Sequence, residues 1–164
     1  MRTLAFLAAA LLLASCATFD TRDLQPGASE SQVVAQLGQP TLKLPAAGGV
    51  TEYFYSLQPE GRRTYAAVIG SDGVLKALEQ RLEPKFLNQV VTGMTAEQVR
   101  ELLGPPWKIT HFVFKNQDVW EYKWLLAEEK RVFWVGFAPD GKVAEVVNIH
   151  DYESDPPSGP SDFS

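Results

Sequence analysis

Gly93-Met94-Thr95-Ala96-Glu97-Gln98-Val99-Arg100-Glu101-Leu102-Leu103-Gly104-Pro105-Pro106 decides the fold, because Gly27-Ala28-Ser29-Glu30-Ser31-Gln32-Val33-Val34-Ala35-Gln36-Leu37-Gly38-Gln39-Pro40 is the same stretch 66 positions earlier. At that offset Gly27 falls on Gly93, Ser29 on Thr95, Gln32 on Gln98, Val33 on Val99, Leu37 on Leu103, Gly38 on Gly104 and Pro40 on Pro106. Self-similarity at a fixed period marks repeated structural units, so the chain reads as two copies of one module. Each stretch encodes a helix of about two turns. Ser29 with Gln32, and Thr95 with Gln98, form Ser/Thr-x-x-Gln capping boxes, in which the hydroxyl accepts from the N3 amide and the glutamine reaches back to the cap amide. Val33, Val34 and Leu37, then Val99, Leu102 and Leu103, recur at helical spacing and make an apolar stripe. Gly38 and Gly104 can take the left-handed conformation that ends a helix, and Pro40 and Pro106 prevent its resumption.

Downstream the offset drifts by one or two residues, pairing Tyr53 with Trp120, Tyr55 with Tyr122 and Asp72-Gly73 with Asp140-Gly141. Alternating runs at 50–57, 63–70 and 74–82, separated by Gln58-Pro59-Glu60-Gly61 and Ser71-Asp72-Gly73, predict an antiparallel meander. The second copy predicts strands near 118–126, 131–137 and 142–149, with Pro139-Asp140-Gly141 as the matching turn. The fold class is therefore α+β: two tandem modules, each with short helices packed on a three- to four-stranded antiparallel sheet. The Glu83-Pro84 step divides a first module at 25–83 from a second at 84–150. Residues 151–164, with Pro156, Pro157 and Pro160 among serines and acids, have too little apolar content to fold and read as a disordered tail.

The chain opens with Arg2, then an apolar and alanine run from Leu4 to Leu13, then Leu13-Ala14-Ser15 before Cys16, the single cysteine. This is the layout of a signal peptide at 1–15. The run is too short for a permanent span, which needs about 20 residues. Leu13-Ala14-Ser15-Cys16 resembles the bacterial lipobox. The resemblance implies that Cys16 is lipidated, that 1–15 are removed and that 16–24 form a lipidated tether. Ala17 and Thr18 follow the cysteine in place of the aspartate that favours inner-membrane retention. A periplasm-facing location on the outer membrane is the expectation. The formal net charge of −5 leaves no basic surface for many phosphates, which excludes nucleic acid as a natural partner.

Gly93-Met94-Thr95, Glu97, Gln98, Val99, Leu102, Leu103, Gly104 and Pro106, followed by Trp120-Glu121-Tyr122, Val135-Gly136-Phe137 and Asp140-Gly141, resemble the SmpA/OmlA family. These BamE-like proteins are small outer-membrane lipoproteins that accompany the β-barrel assembly machinery. The resemblance covers nearly all of 25–150, with the second copy the better match. The first copy has Pro26-Gly27-Ala28-Ser29 for Gly-Met-Thr and Tyr53-Phe54-Tyr55 for Trp-x-Tyr. Two modules in tandem is instead the layout of the β-lactamase inhibitor protein. The resemblance implies protein–protein contact in barrel-protein assembly or envelope integrity. The competing expectation is an inhibitor or regulator of a periplasmic enzyme, using a concave surface to which both copies contribute.

All four tryptophans, Trp107, Trp120, Trp124 and Trp134, lie in the second copy. Strand alternation puts Trp120, Tyr122 and Trp124 on one face with Glu121 and Lys123 on the other, and sets Trp134 opposite Phe133 and Val135. One face must cover the module's own helices and the other could meet the first copy or an outside partner. Trp120, Tyr122, Trp124 and Trp134 are the candidate binding residues, although a module of about 65 residues also needs its aromatics for a core. His111 and His150, the only histidines, are not accompanied by a zinc-ligand spacing, so no metal and no cofactor are expected. No serine sits in a nucleophile elbow and no glycine-rich loop has phosphate-binding spacing, so no catalytic residue is assigned and no enzyme is expected. Glu128, Glu129, Asp140 and Asp151 read as solvated turn or end residues.

Overall fold

A computed structural model of the chain describes residues 19–154. The stretch read as a signal peptide, Cys16 and residues 155–164 lie outside the described residues. Within them the architecture is α+β in two tandem units. The first has α1 (Glu30–Leu37) and strands β1 (Leu42–Pro45), β2 (Thr51–Ser56), β3 (Thr64–Ile69) and β4 (Leu75–Gln80). The second has α2 (Pro84–Leu87), α3 (Ala96–Leu103) and strands β5 (Lys108–Phe112), β6 (Gln117–Leu126), β7 (Glu129–Phe137) and β8 (Val143–His150). Each set of four strands is an antiparallel meander in chain order. The predicted meanders are present, and β1 and β5 complete each sheet where the sequence showed only three strands.

The repeat holds at the level of individual bonds. Both capping boxes are formed: Ser29 and Thr95 accept from the Gln32 and Gln98 amides, and the glutamines accept from the cap amides at 2.8 and 2.9 Å. Before each cap the chain pairs with its module's last strand, through Gly27 N to Leu75 O and Gly93 N to Val143 O, both 2.8 Å. Each sheet carries one irregularity, at Val68/Ile69 and at Gly136/Phe137. Ser29→Ala and Thr95→Ala are each expected to cost about 1 kcal/mol, measured by urea denaturation, because each removes a cap acceptor and leaves a helix amide unpaired.

One face of each sheet holds its own helix. In the first module Val33 and Leu37 of α1 pack with Tyr53, Tyr55, Ala67, Ile69 and Leu75. In the second, Leu87 and Val90, with Val99 and Leu103 of α3, pack with Trp120, Tyr122, Trp124, Phe133, Val135 and Phe137. Tyr122 is fully buried and its hydroxyl donates to the Gly104 carbonyl at 3.2 Å. Burial raises the pKa of its counterpart Tyr55 to about 12.

The modules meet where α3 ends. Gly104 lies against Phe54 and Thr64 on the face of the first sheet turned away from α1, and Phe54, Thr64 and Ala66 are completely buried there. Arg81 links the two units, bonding Glu52 at 2.7 Å and the Leu102 carbonyl at 3.4 Å. Gln58 caps the unpaired edge of β6 by accepting from the Lys123 amide at 2.7 Å. Asp151 was read from sequence as a solvated tail residue. It is buried beneath Arg62 and Lys123, and residues 151–154 form a turn against the second sheet.

Candidate binding face

Strand alternation gives the second sheet an outer face, turned away from α2 and α3, and the register fixes its composition. One row runs Lys108, Glu121, Trp134, Val147 across β5 to β8, and the next runs Thr110, Val119, Gly136, Glu145. Phe112 and Gln117 form the start of a third. All of these except Gly136 line a shallow groove of about 450 Å³. Its floor is apolar at Val119, Trp134 and Val147, and its rim is charged at Lys108, Lys115 and Glu145.

Glu121 organises the groove. Its two carboxylate oxygens accept from the indole nitrogens of Trp107, at 2.8 Å, and Trp134, at 2.9 Å. Charge-assisted bonds of this kind fix both rings in one orientation and prepare a rigid aromatic surface. Gln117 lies over Gly136 on the groove face and donates to Glu145 at 3.2 Å, so the far end of the groove is also held by side-chain contacts.

The same positions of the first sheet read Leu42, Phe54, Ala66, Glu79. There the small Ala66 stands where the second sheet has Trp134, and α3 can approach closely. With Trp134 and Glu121 in place of Ala66 and Phe54, the second face presents a filled, polar-edged surface that would not admit the same close approach.

The sequence-selected aromatics divide between the two faces. Trp120, Tyr122 and Trp124 are at most 5% exposed, inside the core formed with α2 and α3. They are therefore corrected from binding candidates to core residues: the helices need an apolar layer, and these rings supply it. Trp134 alone of that set lies on the open face. Trp107, 39% exposed and held by Glu121, joins it and was missed. Trp107 precedes β5, whose short, polar-flanked sequence hid its pairing with β6.

The groove is confined to the second module. The cleft between the modules is lined by Pro59, Glu60, Arg62, Lys123, Lys130, Glu153 and Ser154, with Trp107 its single aromatic. Among the described residues no group of three or more His, Cys, Asp or Glu side chains could hold a metal ion. No described helix is long and apolar enough to cross a membrane.

No protein-family model matches the chain, and no curated protein matches it. Among solved structures, one described as an osmotically inducible lipoprotein, OsmE, is 22% identical, with a TM-score of 0.39, over 46% of this chain and 80% of that one. A DUF4309 family protein, YjgB from Bacillus subtilis subsp. subtilis strain 168, is 14% identical, with a TM-score of 0.30, over 75% of this chain and 78% of that one. A protein described as a β-lactamase inhibitor protein, from Streptococcus mutans, is 13% identical, with a TM-score of 0.34, over 81% of this chain and 89% of that one.

Proposed function

We propose that this protein is a lipid-anchored, periplasm-facing outer-membrane protein of the BamE-like kind that acts by holding an envelope protein on the open face of its second sheet. Assistance to barrel-protein assembly or to envelope integrity is the role that fits such a face. The observation that carries the reading is the asymmetry between the two sheets. The first face is buried under the end of α3, whereas the equivalent second face, with Trp134 and Trp107 fixed by Glu121, is open. An inhibitor that grips its enzyme with both copies needs an aromatic surface spanning them, and the cleft between the modules is polar.

Rigid aromatics above a small apolar floor, ringed by charges, have the character of an interaction hot spot. Anchoring through Cys16 would confine the face to a thin layer next to membrane proteins and raise its effective concentration toward them. The test is mild-detergent purification from native envelopes of the full-length protein tagged after Ser164, beside Trp134→Ala. The native chain is expected to recover the barrel-assembly machinery. Trp134→Ala, with its thermal midpoint checked in parallel, is expected to reduce that recovery about 30-fold, corresponding to loss of one hot-spot contact of about 2 kcal/mol. Recovery of a single soluble periplasmic enzyme by the native chain would replace this reading with the inhibitor one.

A further inference from the structure

The turn between the first two strands is short and helical in both modules, and its chemistry differs sharply between them. In the first module it is Ala47–Gly49, small residues throughout. In the second it is Val113–Lys115, with Phe112 before it and Asn116 after it at a φ of 45°. Gly48 and Phe114 occupy equivalent places in the two turns. The fold closes this turn with alanine and glycine in one copy, so the apolar residues of the other are not needed for folding. They are also not used for packing: Phe114 is 106% exposed, Val113 77% and Phe112 49%. Ile109, on the same hairpin, is 55% exposed.

Such a cluster at the end of a hairpin is convex. It projects from the end of β5 and β6 remote from Lys123, where the first module docks through Gln58. The charges on the hairpin from Lys108 to Asn116 are Lys108 and Lys115, with His111, on a chain whose overall charge is −5. Lys115 lies 3.9 Å from Glu145, and His111 is 2.7 Å from Asp118. Lys115 adjoins the tip, whereas Lys108 pairs with Glu121 at the other end of β5. A projecting apolar tip with an ammonium group beside it suits a bilayer interface, where apolar side chains enter the acyl boundary and the charge remains among headgroups. Phe112 lines the end of the groove, whereas Val113 and Phe114 lie beyond it, outside the concave face on which a protein partner would sit.

We propose that Val113 and Phe114 form a second membrane contact, entering the lipid interface with Lys115 among the headgroups. This inference rests on the proposed lipid anchoring for its proximity argument. Phe19 already packs on Tyr55 and Tyr65, three residues after Cys16. Three residues reach about 10 Å at most, so acyl chains on Cys16 would hold the folded body against the bilayer instead of at the end of a long tether. A second contact would then fix the orientation of the body and of its open face relative to the membrane plane.

The test uses the full chain, expressed and processed in its bacterial host, in vesicles of phosphatidylethanolamine and phosphatidylglycerol at a ratio of about 7:3, an anionic composition of the kind such tips favour. Val113→Cys and the equivalent Ala47→Cys each carry an environment-sensitive fluorophore. The Val113 label is expected to shift to the blue in vesicles and lose several-fold in accessibility to aqueous iodide, the Ala47 label to do neither, and Phe114→Ser to return the Val113 label toward water. A Val113 label as accessible in vesicles as the Ala47 label overturns the proposal, as does one shielded only after envelope proteins are added. The intact mass of the purified chain reports acylation separately. An unacylated chain overturns the anchoring reading and leaves the Cys16 thiol open to the dye, so the tip contact is then decided with Cys16→Ser added beside Val113→Cys.

Discussion

Asp151→Ala is expected to destabilise the protein by about 3–5 kcal/mol, the cost of removing one partner from a buried ionic cluster. Asp151 is 2% exposed and bonds the Arg62 guanidinium, while Lys123 stands 3.3 Å from the same oxygen. Arg62 and Lys123 are themselves nearly buried, so deletion of the carboxylate leaves two cations facing each other with only the exposed Glu153, 3.8 Å from Lys123, as a counter-ion. Arg62 belongs to the first module, and Lys123 and Asp151 to the second, so the loss should loosen the joint between them. Burial pushes the Asp151 carboxyl up, but hydrogen bonds from Arg62, Ser154 and Lys123 outweigh it and hold the group well below the usual carboxylate range. A folded-state pKa below the unfolded one means that the stabilisation is complete above the ordinary value of 3.8 and is lost as pH falls through and below it. Urea denaturation at pH 7 and near pH 3 checks both parts. The native chain should lose stability on acidification, and Asp151→Asn should start lower at pH 7 and change less. A native-like midpoint for both variants at pH 7 would show that the cluster contributes nothing net.

Asp151 also shows where reading the sequence stops. The stretch from 151 looked too poor in apolar residues to fold, and its first turn is held by charge from two distant segments, Arg62 and Lys123, which no local pattern connects. The helices were legible down to individual capping bonds, because capping is a matter of residues three apart. The six longer strands were legible from alternation and Asp-Gly turns. β1 and β5 were not, since each is a short edge strand with little apolar alternation, paired only through its neighbour. The start of β7 at Glu129 was also hidden. Its hairpin turns at Ala127 and Glu128, both at positive φ, without the Asn-Gly or Asp-Gly signal that usually announces such a turn. For the binding face, alternation put Trp120, Tyr122 and Trp124 on one face of β6 and Trp134 opposite Phe133 and Val135 on β7, but it could not relate the two strands or say which side the helices would take. That choice depends on where α3 and Leu87 pack, and it turns three of the candidates into core. The pairing of Trp107 with Glu121 required the β5–β6 register and was not accessible before it.

Gly104→Ala should separate the cost of backbone conformation from the cost of the joint between modules, provided it is measured beside Gly38→Ala. The sequence predicted a left-handed helix end at both glycines. Both have positive φ, 80° and 81°, but with ψ near −165° they lie in an extended region open essentially to glycine alone. An alanine there costs about 1–3 kcal/mol from the backbone by itself, and the two sites should share this term because their angles match. Their surroundings differ. A Cβ on Gly38 meets nothing within 4 Å, whereas one on Gly104 would stand 2.7 Å from Phe54 Cδ1 and 3.0 Å from Thr64 Cγ2. Phe54 and Thr64 are fully buried and cannot swing into solvent, so the clash must push α3 off the first sheet or distort the sheet. Overpacking of that kind adds about 1–3 kcal/mol. Gly104→Ala should therefore cost about 2–6 kcal/mol in all, more than Gly38→Ala by the overpacking term, when both are followed by urea denaturation. Equal losses at the two sites would mean that the modules are not held together through Gly104. A larger loss at Gly104 would identify that close approach as the contact that occupies the first sheet's outer face and leaves only the second sheet's face free to bind.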